Sequence, residues 1–271
     1  AKYFEQITKT PMIVTNVTGG GGTIALSEVE DSKPDGGTLF FGHTGQLIVT
    51  EVSGLRDVKF DANLDISCIP AVDKGSVLVA GPASNISTLA DLIKLAKEKP
   101  GAVTFGTEFG GFTHLQGLLI AQAAGIDLKF VDVGSASDKI TALLGKRIDI
   151  ASIAFGPVKD YAATKRLTVL AQFGDPANPL LPAGIQTFRQ QGVDMSMTNP
   201  YVIGFPKGTN PELVKRMSTI VSQIIENKEY QESLAKTYSQ PITYFPAEQA
   251  VEHLNQIRDQ YLPYKGLLVR K

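Results

Sequence analysis

From end to end the chain alternates short β-rich apolar runs with longer stretches of helical period, and this alternation points to α/β architecture with largely parallel sheets. Two turns of helix at Lys2–Thr8 lead to Met12–Val17, which reads as a strand, and Gly19–Gly22 then opens a helix from Thr23 to Glu30. Lys33-Pro34-Asp35-Gly36 stops that helix. Thr38–Phe41 and Ile66–Val72 read as buried strands, with Val77–Ala80 as a partner for the second. Ser87-Thr88 caps a helix over Leu89–Lys99, whose Leu89, Leu92, Ile93 and Ala96 recur at helical spacing.

After Pro100-Gly101 the pattern restarts as βα units. Val103–Phe105 goes with Thr113–Ala124, Leu128–Val133 with Ala136–Leu144, and Ile148–Ile153 with Val158–Ala163. Side by side, such units make a parallel sheet with right-handed crossovers. A strand over Leu167–Gln172 follows, then one over Ile203–Pro206. Asn210 before Pro211 opens a long helix to Glu226, and the helical C-terminal third is broken by a strand at Ile242–Phe245. Two α/β halves joined near Phe105 and again near Tyr201–Gly204 would enclose a cleft at the carboxyl ends of their strands, where ligands of open α/β sheets bind.

Charge narrows the partners. Lys plus Arg number 26 against 27 Asp plus Glu, with no long run of one sign, so neither nucleic acid nor an anionic membrane is favoured. No stretch approaches the roughly 18 apolar residues of a spanning helix. Neither a signal peptide nor a lipid-attachment cysteine stands near Ala1, the pattern of a processed or trimmed chain. The single cysteine, Cys68, lies in an apolar run and reads as a small core residue.

Three loops carry the chemistry. Thr107-Glu108-Phe109-Gly110-Gly111-Phe112-Thr113 stands between a strand and a helix; glycines admit a ligand to the backbone, and the free N–H groups of a helix start attract an anion. Gly42-His43-Thr44-Gly45 repeats this arrangement after the strand ending at Phe41, with His43 open as donor, base or plain loop residue. Gly134-Ser135-Ala136-Ser137 does so after Val133, where Ser135 or Ser137 can be a pure helix cap. Thr18–Thr23 is glycine-rich but lacks the Lys-Ser/Thr of a P-loop and the spacing of a dinucleotide turn. There is no G-x-S-x-G, no H-E-x-x-H and no cysteine cluster; a hydrolase or metal enzyme would have to unite His43, Glu108 and His114.

Several segments resemble the tripartite tricarboxylate transporter receptor family, the Bug-type solute-binding proteins. Asn16–Gly22 is similar to the family's N-R-P-G-A-G-G turn and Pro34–Leu39 to its P-D-G-Y-T-L. Phe105–Thr107 and Thr113–Leu115 resemble its Y-G-S loop ending in H-L, Leu143–Asp149 its L-L-G-G-x-V-D, and Gly204–Glu212 its A-P-A-G-T-P-P-E. They follow one another in the family's order across almost the whole chain.

The resemblance implies a two-lobed type II periplasmic-binding-protein fold, with one lobe from 1–103 plus 204–271 and the other from 104–203. It places the family's first strand and P-F-x-A-G-G loop before Lys2. It implies a monomeric, non-catalytic, extracytoplasmic or periplasmic receptor without a cofactor, which passes a small organic carboxylate to membrane transporter subunits; a sensor subunit would use the same cleft. Gly42, His43, Thr44, Gly45, Thr107, Glu108, Phe109, Gly110, Gly111, Phe112, Thr113, Gly134, Ser135, Ala136, Phe155, Gly156 and Tyr201 are the expected lining. Glu108 and Phe109 stand where the family has small residues. An ionised Glu108 facing an anion needs relief: it points to solvent, pairs with a protein cation, or accepts from a cationic group on the ligand.

Overall fold

The computed structural model describes residues 1–17 and 19–268. In chain order it contains α1 (Lys2–Thr8), α2 (Thr23–Glu30), β1 (Phe40–His43), a π-helical turn (Gly45–Val49) running into α3 (Thr50–Val52), β2 (Leu64–Asp73), β3 (Ser76–Ala80) and α4 (Leu89–Glu98). Next come β4 (Thr104–Thr107), α5 (Phe112–Ala124), β5 (Lys129–Asp132), α6 (Ala136–Leu144), β6 (Ile150–Ala154), α7 (Phe155–Ala163) and β7 (Thr168–Gln172). The chain closes with β8 (Asn199–Pro206), α8 (Pro211–Glu226), α9 (Lys228–Tyr238), β9 (Phe245–Pro246), α10 (Ala247–Tyr261) and α11 (Lys265–Leu268).

The strands form two sheets, one ordered β1-β8-β2-β9 and the other β5-β4-β6-β3-β7. The first is antiparallel throughout. In the second only β4 runs parallel to β5 and to β6, while β3 is antiparallel to β6 and β7. The expectation of largely parallel sheets is therefore corrected: the βα units are present, but β3, arriving from the first sheet, runs against them, and the first sheet is antiparallel.

Two further expectations change. Val77–Ala80 does not pair with the preceding strand; it lies between β6 and β7 in the second sheet, with Val79 opposite Ala151 and Val169. The Asp73 carboxylate accepts from the Gly75 N–H at 2.7 Å and the Ser76 hydroxyl at 3.1 Å, a tight local turn that carries the chain from one sheet to the other. The crossings between sheets thus fall at Asp73–Ser76 and between Gln172 and Asn199. Met12–Val17 is not a strand, for no partner among the described residues pairs with it, and Ile13 is 88% exposed. Thr18 lies outside the described residues.

Elsewhere local chemistry and packing agree. Thr88 and Asp91 form a reciprocal capping box on α4, as Ser135 and Asp138 do on α6. Each cap is worth about 1 kcal/mol. β2 is apolar on both faces because both are covered, by α8 and by α10. Val214, Met217, Val221 and Ile225 of α8 pack on Cys68 and Phe205. Burial pushes the Cys68 thiol up to about 12, so it stays protonated and inert.

Candidate functional site

The end of β1 and the start of α5 meet directly. His43 sits opposite Tyr201 of β8 in the ladder, its ring meeting that of Tyr201 edge-on with centroids 6.1 Å apart and lying 6.3 Å from that of Phe112. Phe41 stacks on the other part of this group, 5.8 Å from Tyr201 with planes at 6°. The loop is shaped from within: His43 N–H donates to Gln46 Oε1 at 3.0 Å, and Gly45 N–H donates to His43 Nδ1 at 3.1 Å. Nδ1 is thereby an acceptor, and burial holds the imidazole neutral by lowering its pKa to about 4. Thr44 is fully buried and donates to Asn199 Oδ1 at 2.7 Å. Tyr201 is likewise held as the neutral phenol, burial raising it to about 12.

The glycines at this junction are required by space. A Cβ on Gly42 would lie 2.2 Å from Phe40 Cζ, and one on Gly45 would lie 2.7 Å from Phe112 Cβ. Gly110, at φ 75°, turns the second loop against Leu55.

That second loop is held by an internal network. Thr107 Oγ1 and Thr113 Oγ1 are 3.0 Å apart, Gly111 N–H donates to Glu108 O at 3.0 Å, and Gly110 N–H donates to His114 Nδ1 at 3.2 Å. Phe109 packs edge-on against His114, which is flanked on its other side by Phe130, each at 5.1 Å. The N–H groups of Phe112 and Thr113, the first two of α5, have no acceptor among the described residues. They are the unsatisfied donors of a helix start, with the positive end of its dipole behind them.

Glu108 is resolved in favour of a protein partner. Its Oε1 lies 3.4 Å from Nζ of Lys139, which also donates to Thr113 Oγ1 at 3.0 Å. The Lys139 side chain is 3% exposed and that of Glu108 45%. Burial lowers the lysine's pKa, and the nearby Glu108, Asp132 and Asp138 charges oppose that shift. Sequence reasoning passed over Lys139. Its signal was position: it occupies the buried stripe of α6 beside Ile140, Ala142 and Leu143.

The remaining expected residues divide. Gly134 and Ser135 adjoin the second loop, since Val133 N–H donates to Thr107 O at 2.9 Å. The Ser135 hydroxyl is spent on Asp138 at 2.6 Å, so it acts as a cap, and Ala136 is exposed. Phe155 is a core residue, its side chain packed in the cluster with Val77 and Ile153. Gly156 abuts α9 instead, where a Cβ would lie 3.0 Å from Thr237 O. His43, Glu108 and His114 do not converge on one centre: Glu108 turns to Lys139, while His43 and His114 bond to separate loop backbones. No group of three metal-binding side chains occurs among the described residues.

Comparison with known proteins places the chain in a family. The model of the tripartite tricarboxylate transporter family receptor matches residues 2–266. The UPF0065 protein in the gbd 5' region of Cupriavidus necator is 28% identical over 235 residues, covering 85% of this chain and 70% of that protein. Rpa4515 of R. palustris, solved with adipate, superposes with a TM-score of 0.87 at 19% identity over 99% of this chain and 91% of that one. MatC of Rhodopseudomonas palustris, solved with bound malate, gives 0.83 at 17% identity over 99% and 91%. With its two-lobed periplasmic-binding-protein fold, the chain belongs to the tripartite tricarboxylate transporter receptor family, Bug type, and is a solute-binding receptor rather than an enzyme.

Proposed function

We propose that this receptor captures a small organic carboxylate between its two sheets and presents it, as a periplasmic monomer, to the membrane subunits of a tripartite transporter. The observation that carries the reading is the pair of N–H groups at Phe112 and Thr113, without an acceptor among the described residues and set against the His43–Gly45 loop, which packs on Phe112. Unsatisfied amides at a helix start favour an anion, and the flanking aromatic rings of Phe112, His43 and Tyr201 suit a short carbon skeleton. Rpa4515 and MatC, bound to adipate and malate, supply the ligand class.

In this reading one lobe is built on the four-stranded sheet and the other on the five-stranded sheet, hinged at Asp73–Ser76 and between Gln172 and Asn199. Thr107–Thr113 lines the cleft from one side and Gly42–Gly45 with Tyr201 from the other. Gly134 supports the second loop from behind.

A thermal-shift screen of dicarboxylates, monocarboxylates, amino acids and sugars tests it. A cognate carboxylate at about 100 times its dissociation constant should add about 2.7 kcal/mol of stability. A shift with sugars and none with any carboxylate would overturn the reading.

A further inference from the structure

We propose that Glu108 is an exchangeable counter-ion for the buried Lys139, and that a ligand carboxylate takes its place on the ammonium. The inference rests on the receptor reading of this loop and names the group that selects the ligand's charge.

The two partners are unequal. Lys139 is enclosed, with 3% of its side chain exposed, whereas Glu108 keeps 45% of its own in contact with solvent. A buried ammonium needs an anion beside it, because a charge taken out of water and left uncompensated is strongly disfavoured. Glu108 supplies that anion at 3.4 Å, well beyond the roughly 2.7–2.9 Å of a strong charge-assisted bond. The tighter contact of Lys139 is to Thr113 Oγ1 at 3.0 Å, in the first turn of α5.

The neighbouring hydroxyls cannot substitute. Thr113 Oγ1 receives Lys139 Nζ–H and, at 3.4 Å, Glu108 N–H, so its own proton goes to Thr107 Oγ1. The Thr107 proton in turn faces Glu108 O at 3.4 Å. Both hydroxyls are committed, and Asp138 is held in its capping box with Ser135. Glu108 is thus the partner of Lys139 that is free to swing away.

Exchange of one carboxylate for another leaves the buried charge neutralised throughout, so the step carries no penalty for stranding Lys139. A sugar cannot make it, and an amino group would be repelled from the same spot. The ligand end seated here is therefore an ionised carboxylate, and Glu108 sets the threshold that it must beat.

Isothermal titration of malate and adipate, together with a panel of monocarboxylates, into the wild type, Glu108→Gln, Glu108→Ala and Lys139→Met decides it, with melting curves as the folding control. Removal of the resident competitor should tighten carboxylate binding by about tenfold or more in both Glu108 variants, while Lys139→Met should weaken it by a similar factor. If the wild type binds a carboxylate and the folded Glu108 variants bind it equally or more weakly, the exchange is refuted while the receptor reading stands. If the wild type binds none of the panel, the reading of the loop falls and the exchange with it. Should Lys139→Met fail to fold, the two Glu108 variants still decide: they leave Lys139 without its resident anion, so their melting curves are taken with and without carboxylate, and a bound carboxylate that restores the counter-charge should stabilise them more than it does the wild type.

Discussion

Gly45 faces Phe112 so closely that a methyl group on it would lie 2.7 Å from Phe112 Cβ and 2.7 Å from His43 Cε1. The glycine is what lets the β1 end and the α5 start touch. Gly45→Ala is expected to force the two apart, destabilising the protein by about 1–3 kcal/mol and raising the radius of gyration measured by small-angle scattering. Gly184, with nothing within 4 Å of its would-be Cβ, is the control position. A Gly45→Ala protein with the melting temperature and radius of the wild type would remove the junction from the argument.

His43 gives the receptor an acid-sensitive component. Its pKa falls to about 4 in the folded chain from an ordinary value near 6.5, so between these values the unfolded chain binds the extra proton. Stability from this group is complete above about pH 6.5 and is lost as pH falls toward 4, to a maximum of about 3 kcal/mol. His43→Asn keeps an acceptor for the Gly45 N–H and does not titrate there. Urea unfolding from pH 7 to pH 4 should show the wild type losing more stability than the variant; parallel curves would contradict the assignment.

A buried ion pair anchors α2 beneath the same half. Arg56 Nη2 donates to both oxygens of Glu30, at 2.6 and 2.7 Å, with both side chains under one-tenth exposed. Arg56 Nη1 is buried with no partner among the described residues, so the guanidinium already lacks one bond. Glu30→Ala strands that charge and is expected to cost about 3 kcal/mol or more in urea unfolding. The double change Glu30→Ala with Arg56→Met should recover part of the loss, and a double variant no better than the single one would argue against charge burial as the cause.

How much of this was legible beforehand depends on the range of the interaction. Helices stood out wherever capping and apolar spacing are written locally, as in Thr88 with Asp91 or Asn210 before Pro211. The family's motifs lie along the sequence and could be matched one after another. Met12–Val17 misled because an apolar extended run becomes a strand only when a neighbour offers its hydrogen bonds.

The sequence by itself determined the βα alternation, the glycine loops at strand ends and the family to which they belong. Tertiary structure alone decided which sheet Ser76–Ala80 joins, since the choice lies with β6 and β7, whose paired residues are 70–95 positions away in the chain. It also decided the fate of Glu108. Lys139 is 31 residues further along, and only the packing of α6 on the second sheet buries that ammonium beside the loop, where the cost of leaving a charge alone in the interior obliges the two to meet.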